Sequence, residues 1–394
     1  MAARRRISTD ERRARLGKRQ LLAHGASADD PVAVAHAVVA LHATDAATVF
    51  LSAAARMRTP DIKAIEAALY EERTLIRMLG MRRTMFVVPV ALMPVVHAAC
   101  TTAIAAVERK RTIQLLEGAG ITMDGARWLE EVERATLAEL EARSEALASE
   151  LTRAVPKLEE RIRVAEGKNY AGYLGMSTRV LFLMSADGRV VRGRPRGSWI
   201  SSQHRWAPID TWLREPPAEW SVAAGQAELV RRWLASFGPG TRNDLRWWTG
   251  LTAREINAAL EAIGALEVDL EDGLGVVLPD DEASPKAGQP WVALLPGLDP
   301  TPMGWKDRAW FLGAHGPTLF DRSGNIGPSI WLDGRIIGGW SQRPSGEVVV
   351  QLLEDVGGEA KRAVDNAAHT LGEWIGPIRI TPRFRTPLER ELSG

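Results

Sequence analysis

The sequence predicts an α+β chain: three tandem helix-turn-helix modules, each closed by a β wing, then a small C-terminal β-barrel or curled sheet. Three observations predict it. Short amphipathic helices give way to strand-forming runs, and this alternation occurs three times along the chain. From residue 290 onward the chain is rich in Gly and Pro and carries short strands. A length of 394 residues is too great for one ordinary core, so several domains are expected.

The elements follow in order. Residues 8–22 read as an amphipathic helix with Leu16, Leu21 and Leu22 on one side, stopped by Gly25. Asp30-Pro31 opens a second helix with Pro at its first position. Short helices follow over 46–56 and 61–70. Residues 74–89 are strand formers with a turn at Gly80 and a stop at Pro89, a hairpin pattern. The second module reads as helix over 128–163 and 177–186, with a wing beginning at 188–193. The third has helices over 222–235, 243–249 and 253–263, then a hairpin of 266–270 and 275–278 joined by Glu-Asp-Gly. A linker over 279–288 leads to strands at 291–295, 329–332, 335–340 and 347–353, with a tight turn at Asp333-Gly334 and a helix over 358–374. The expected boundaries are 1–124, 125–220 and 221–284 for the modules and 285–394 for the β-rich domain.

Composition excludes several classes. One cysteine, Cys100, rules out a disulfide framework and a cysteine-rich zinc site. No apolar run is expected to reach the roughly 18 residues that span a bilayer. The basic start lacks the apolar stretch of a signal peptide, so a cytoplasmic protein without membrane contact is expected. Net charge is only +1, but the charge is segregated. Residues 1–20 carry eight Arg and Lys, and Arg189–Arg214 carries six arginines against Asp210. Acid gathers in 130–150 and 267–282. Such segregation suits a phosphate-binding face with acidic segments turned away, or equally a set of solvated surfaces.

There is no phosphate-loop, HExxH or GxSxG motif, and the seven histidines show no metal-ligand spacing. ATP hydrolysis, zinc chemistry and serine hydrolysis are therefore not expected, and no metal or cofactor is. Four clusters carry the remaining polar chemistry. In Leu41-His42-Ala43-Thr44-Asp45, an extended backbone would put His42 and Thr44 on one side, where together they could hold and polarise a water. The same residues also read as the cap of the helix beginning near 46, with His42 beside it. Arg77, Arg82 and Arg83 lie on or beside the first hairpin and suit phosphate contacts. Arg192, Arg194 and Arg196 alternate with Gly and Pro ahead of Trp199, Trp206 and Trp212, as in a nucleic-acid-facing loop. Asp299 sits in a Pro/Gly loop after a buried-looking strand, either as a site residue or as a turn cap.

Taken together, five segments resemble the winged-helix family that contains the AlkZ- and YcaQ (AlkX)-type DNA glycosylases. They are Val38–Thr44, Arg77–Pro89, Phe237-Gly-Pro-Gly-Thr241 with Trp248-Thr-Gly-Leu251, Leu294–Asp299 and Leu332–Trp340. The resemblance covers nearly the whole chain. It implies three winged-helix modules in a C shape with a C-terminal barrel. It also implies a metal-free glycosylase, expected to be a monomer, that removes alkylated or crosslinked purines from damaged double-stranded DNA. The family's catalytic pair lies in a Gln-x-Gln or Gln-x-Asp motif, and the matching positions here are His42 and Thr44. Under this reading His42 holds the water, Thr44 orients it, and Asp45 or the DNA phosphates stabilise positive charge on the sugar. Because both motif positions depart from the family, the alternative is a catalytically silent winged-helix DNA-binding protein, a regulator or repair accessory. A further alternative is a glycosylase for a different lesion, such as a deaminated base.

Overall fold

A computed structural model describes residues 4–164, 172–281 and 288–394. Most of the expected linker, residues 282–287, lies outside the described residues. The fold is mixed α and β with small open sheets.

The first unit begins with helix α1 (Thr9–Arg19), whose N-cap Ser8 accepts from the Glu11 amide. Helix α2 (Pro31–Ala37) follows, capped by Asp30, which accepts from the amides of Val32 and Ala33. The two-residue strand β1 (Leu41–His42) and helix α3 (Ala46–Ala54) come next. Every residue of α3 is buried. A helix over Ile62–Glu66 continues through a π turn over Ala67–Glu71. Strands β2 (Leu75–Leu79) and β3 (Met85–Pro89) form the anticipated hairpin, and β1 pairs on the outer side of β3 with Leu41 opposite Val87 and His42 opposite Phe86.

The next stretch departs from expectation. From Val90 to Gly118 the chain is one helical run, and one 18-residue window has a mean hydropathy of 1.9, long and apolar enough by composition to cross a bilayer. The expectation that no run reaches that length is therefore corrected. The apolar residues have a place inside the fold: this helix packs against Val222–Phe237, and Val95, Val96 and Ala99 join the main core. The single long helix expected over 128–163 is also corrected. Helix Gly125–Arg143 stops at Ser144, which has a φ of +67°. Ala146–Leu147 then turns extended and pairs with Arg205 and Trp206, and Arg161–Val164 forms another strand. Helix Met176–Ala186 precedes a strand pair, Val190–Pro195 with His204–Pro208. This middle unit has its own core, from Leu116 to Trp206.

Helices Val222–Phe237, Arg242–Thr249 and Ala253–Ala262 lead to the hairpin Leu266–Leu270 and Gly273–Val277. The C-terminal sheet is an open antiparallel meander of Val292–Leu295, Ser329–Leu332, Arg335–Gln342 and Val348–Leu352. Helix Gly357–Ile375 packs on its first and last strands. The first unit, the third unit and the C-terminal sheet share one continuous core.

The N-terminal basic segment is not a free phosphate-binding face. Arg4 pairs with Glu267 at 2.8 Å, Arg12 with Asp272 at 3.2 Å, and Arg15 with Asp281 at 2.6 Å. Arg19 also pairs with Asp281. The acidic 267–282 segment, expected to turn away from the arginines, is their counter-charge. Segregation along the sequence becomes neutralisation in space.

Candidate active site

The candidate site is the segment that leaves β1. Backbone and side-chain contacts fix it from three directions. The Ala43 amide donates to the Met85 carbonyl at 2.8 Å, continuing the ladder with β3. The Ala43 carbonyl accepts from Arg77 Nη1 at 2.8 Å, and the Thr44 carbonyl from Arg383 Nη1 at 3.3 Å. The chain bends at Thr44 and Asp45, so the strand ends there. Asp45 then caps α3: Oδ1 accepts from the Ala47 amide at 3.1 Å and Oδ2 from the Arg383 amide at 2.9 Å. Both carboxylate oxygens therefore already serve backbone amides.

His42 is 7% exposed and its ring meets Phe86 edge-on at 5.4 Å. Its Nδ1 is buried without a hydrogen-bond partner. An unpartnered buried ring nitrogen is costly and calls for a reason. Burial, and then the positive charge of Arg82, pushes the imidazole down to about 3, against a smaller opposing pull from Asp299. His42 is thus neutral at physiological pH, one ring nitrogen a donor and the other an acceptor. Thr44, two residues on and past the end of the strand, is half-buried.

The arginines expected to touch phosphate fall into different surroundings. Arg82 and Arg83 occupy the hairpin turn, both with positive φ, 52° and 60°. The Arg82 guanidinium lies 3.9 Å over the Trp247 ring, and its Nε has no partner. Arg308 stacks on the same indole at 4.9 Å, and burial followed by the Arg82 charge lowers it to about 10. Gly250, at φ +80°, ends the helix carrying Trp247 in the left-handed conformation and lets the chain turn against Arg82. Arg83 is exposed and pairs with Glu108 at 3.2 Å. Arg194 is held by Glu66 at 3.1 Å and Glu71 at 2.9 Å. Arg196 is exposed, while Arg77 is buried. Trp199, Trp206 and Trp212 are all core residues, not stacking platforms for bases.

Asp299 is fully buried and forms a two-pronged pair with Arg56 at 2.6 and 2.9 Å. Its place is inside the protein, where it joins α3 to the loop after Val292–Leu295. Sequence reasoning missed Arg56, Trp247 and Arg383. Arg383 carried one faint signal: three arginines, Arg379, Arg383 and Arg385, in a Pro-containing tail.

His204, bonded through Nδ1 to the Gly193 carbonyl at 3.1 Å, is also lowered to about 3, by burial and then by the Arg77 charge. In the unfolded chain each imidazole protonates near 6.5; in the folded chain His42 and His204 stay neutral to about 3. Between those values the unfolded state binds more protons, so stability falls as pH falls, by about 1.4 kcal/mol per pH unit for each ring. Urea unfolding across this window should show the slope, and His42→Gln should remove about half of the histidine share. A slope unaltered by that substitution would mean that His42 is protonated in the folded protein.

A family model described as "DNA glycosylase AlkZ-like" matches residues 35–374. Among solved structures, the Streptomyces sahachiroi DNA glycosylase AlkZ aligns with a TM-score of 0.71. The alignment covers 96% of this chain and 99% of that one, at 19% identity, and shows a shared fold. No curated protein matches.

Proposed function

The chain belongs to the AlkZ-like family of DNA glycosylases, and from that premise we propose that it excises alkylated or crosslinked purines from damaged duplex DNA with a water held by His42 and Thr44. The protein is a DNA glycosylase of repair, and DNA is its substrate. The single observation that carries the assigned site is the buried, neutral His42 whose Nδ1 has no protein partner. A ring nitrogen that no protein group satisfies has hydrogen-bonding capacity left for a ligand.

An imidazole lowered to about 3 is too weak a base to deprotonate water in advance. It can accept a hydrogen bond, fix the water's orientation, and take the proton late, once carbon–oxygen bonding has made the water acidic. That suffices for a cationic alkylated purine, which leaves readily and produces an oxocarbenium-like sugar that a neutral water can attack. Thr44 orients the water through its hydroxyl. Asp45, engaged by two amides, contributes by holding the segment in place.

In the same reading, the three helix-then-hairpin units over 1–124, 125–220 and 221–284 are winged-helix modules, and 285–394 is a barrel-like domain with one side open. The recurring order of helices before a hairpin supports this division. The chain acts as a monomer. Arg82, Arg83, Arg192 and Arg196 grip the DNA backbone.

The test is base release from duplexes carrying 7-methylguanine or a purine crosslink, followed by chromatography of the freed base. Release at a rate above spontaneous depurination is expected. Tight duplex binding without release from any alkylated purine would instead favour the silent DNA-binding protein.

A further inference from the structure

Arg77 and Arg383 meet at the backbone of Ala43 and Thr44, and Arg192 lies within electrostatic reach of both. Arg77 is 4% exposed, and its Nε and Nη2 are buried without hydrogen-bond partners. The Nε of Arg192 is buried and unpartnered as well. Arg192 is lowered to about 10, first by burial, then by the charges of Arg77 and Arg383. Burial lowers Arg77, and the Tyr70 hydroxyl, which also hydrogen-bonds the guanidinium, and then Asp45 oppose that lowering. Asp45 already accepts two backbone amides. Two of the three arginines are anchored on the site itself, Arg77 on the Ala43 carbonyl and Arg383 on the Thr44 carbonyl.

Like charges held together with unfilled donors are unfavourable in isolation, because each buried unpaired donor costs free energy and the cations repel. An anion removes both penalties at once. We propose that Arg77, Arg192 and Arg383 form the seat of one DNA phosphodiester, the one nearest the sugar whose glycosidic bond is cut. This rests on the reading of His42 and Thr44 as the site. Arg192 and the exposed Arg383 contact the phosphate oxygens, and Arg77 backs them while holding the Ala43 carbonyl.

The seat answers a question the motif leaves open. Thr44 has no charge to offer an oxocarbenium-like sugar, and Asp45 is already engaged. A phosphate fixed beside Thr44 brings negative charge to that position. The arginines position it without facing the sugar as bare cations, because the phosphate lies between. Arg383 comes from the tail beyond the family match, so a residue outside 35–374 completes the site.

The experiment is a binding scan that needs no turnover. Duplexes carry a tetrahydrofuran abasic analogue and a single neutral methylphosphonate, moved one phosphate at a time. Fluorescence anisotropy reads the affinity of the full-length protein, and a thermal melt confirms the fold of each variant. For the wild type, one phosphate flanking the analogue should cost about tenfold when neutralised, as expected for a charge-assisted contact. Arg383→Ala and Arg192→Gln should each weaken binding to the unmodified duplex and abolish the penalty at that phosphate, leaving the others intact. The salt dependence should flatten by about one phosphate contact. A wild-type scan without a dominant flanking phosphate would overturn the proposal, and so would an Arg383→Ala scan identical to wild type. If His42→Ala still excised bases, the assignment of the water would fail, while the scan would still report on the seat.

Discussion

Replacing His42 with alanine is expected to lower single-turnover base release by about 10²–10⁴-fold, the usual range for removing a positioned proton acceptor. Affinity for an undamaged duplex should change little, because the ring is only 7% exposed. Some loss of stability is expected, because the ring packs edge-on against Phe86 and its removal leaves a cavity. Thermal melting separates that loss from chemistry. His42→Gln is the informative companion. The family resemblance implies glutamine at this position, and its carbonyl oxygen can accept the same hydrogen bond. It should recover most of the rate. It should also remove any dependence on imidazole protonation, although with a value near 3 none is expected across the working pH range. Thr44→Asp should be slower than wild type, because a phosphate seated beside Thr44 repels the new carboxylate. Unchanged release by His42→Ala, with the fold intact, would sink the assigned site.

The sequence made some elements readable and hid others, for physical reasons that can be named. Helices with polar caps were readable: Asp30 ahead of Pro31, and Thr241 and Thr252, each of which forms a reciprocal capping box. The Asp333-Gly334 turn was readable because both residues must adopt positive φ, here 47° and 83°. The helical run from Val90 to Gly118 was missed because no side-chain cap marks its segments, and it leaves Pro89 without a polar break. The overlong helix after 128 failed at Ser144, where only a distant partner, the Arg205–Trp206 strand, rewards the chain for turning extended. The same limit governed the charges. Nothing local to Arg12 or Arg15 shows that Asp272 and Asp281 will neutralise them from the other end of the chain. At the site, the His42–Asp45 segment was visible as a cluster, but its surroundings were not. Arg77, Arg383 and Arg82 reach it from a second strand, the tail and a hairpin turn, and only the fold brings them together.

The largest stability effect is expected at Arg56, a residue without an outward-facing atom. Its side chain is 0% exposed, and every donor is used. Nε donates to the Gln20 carbonyl at 3.1 Å. Nη1 donates to the Ser52 carbonyl at 2.7 Å and to Asp299 at 2.9 Å. Nη2 donates to Asp299 at 2.6 Å and to Thr301 Oγ1 at 2.7 Å. Asp299 in turn accepts the Thr301 amide at 2.9 Å, and Thr301 Oγ1 donates to Gln20 Oε1 at 2.5 Å. One guanidinium thus joins the end of α1, the end of α3 and the loop that follows the first strand of the C-terminal sheet. Arg56→Ala leaves the Asp299 carboxylate buried without its counter-charge, a situation that costs about 3–5 kcal/mol. Against a typical total of about 5–15 kcal/mol, that approaches the whole stability of the weaker folds. Asp299→Ala should cost a similar amount, because it strands the arginine instead. The double variant should be more stable than the sum of the two losses predicts, since neither buried charge is then left alone. Chemical denaturation of the four proteins measures the coupling. Losses that simply add would mean that the pair is not the joint between α3 and the C-terminal domain. Strong coupling would also explain why Asp299 stands so near the site without taking part in it: the carboxylate that balances Arg56 fixes α3, and α3 fixes the segment that carries His42 and Thr44.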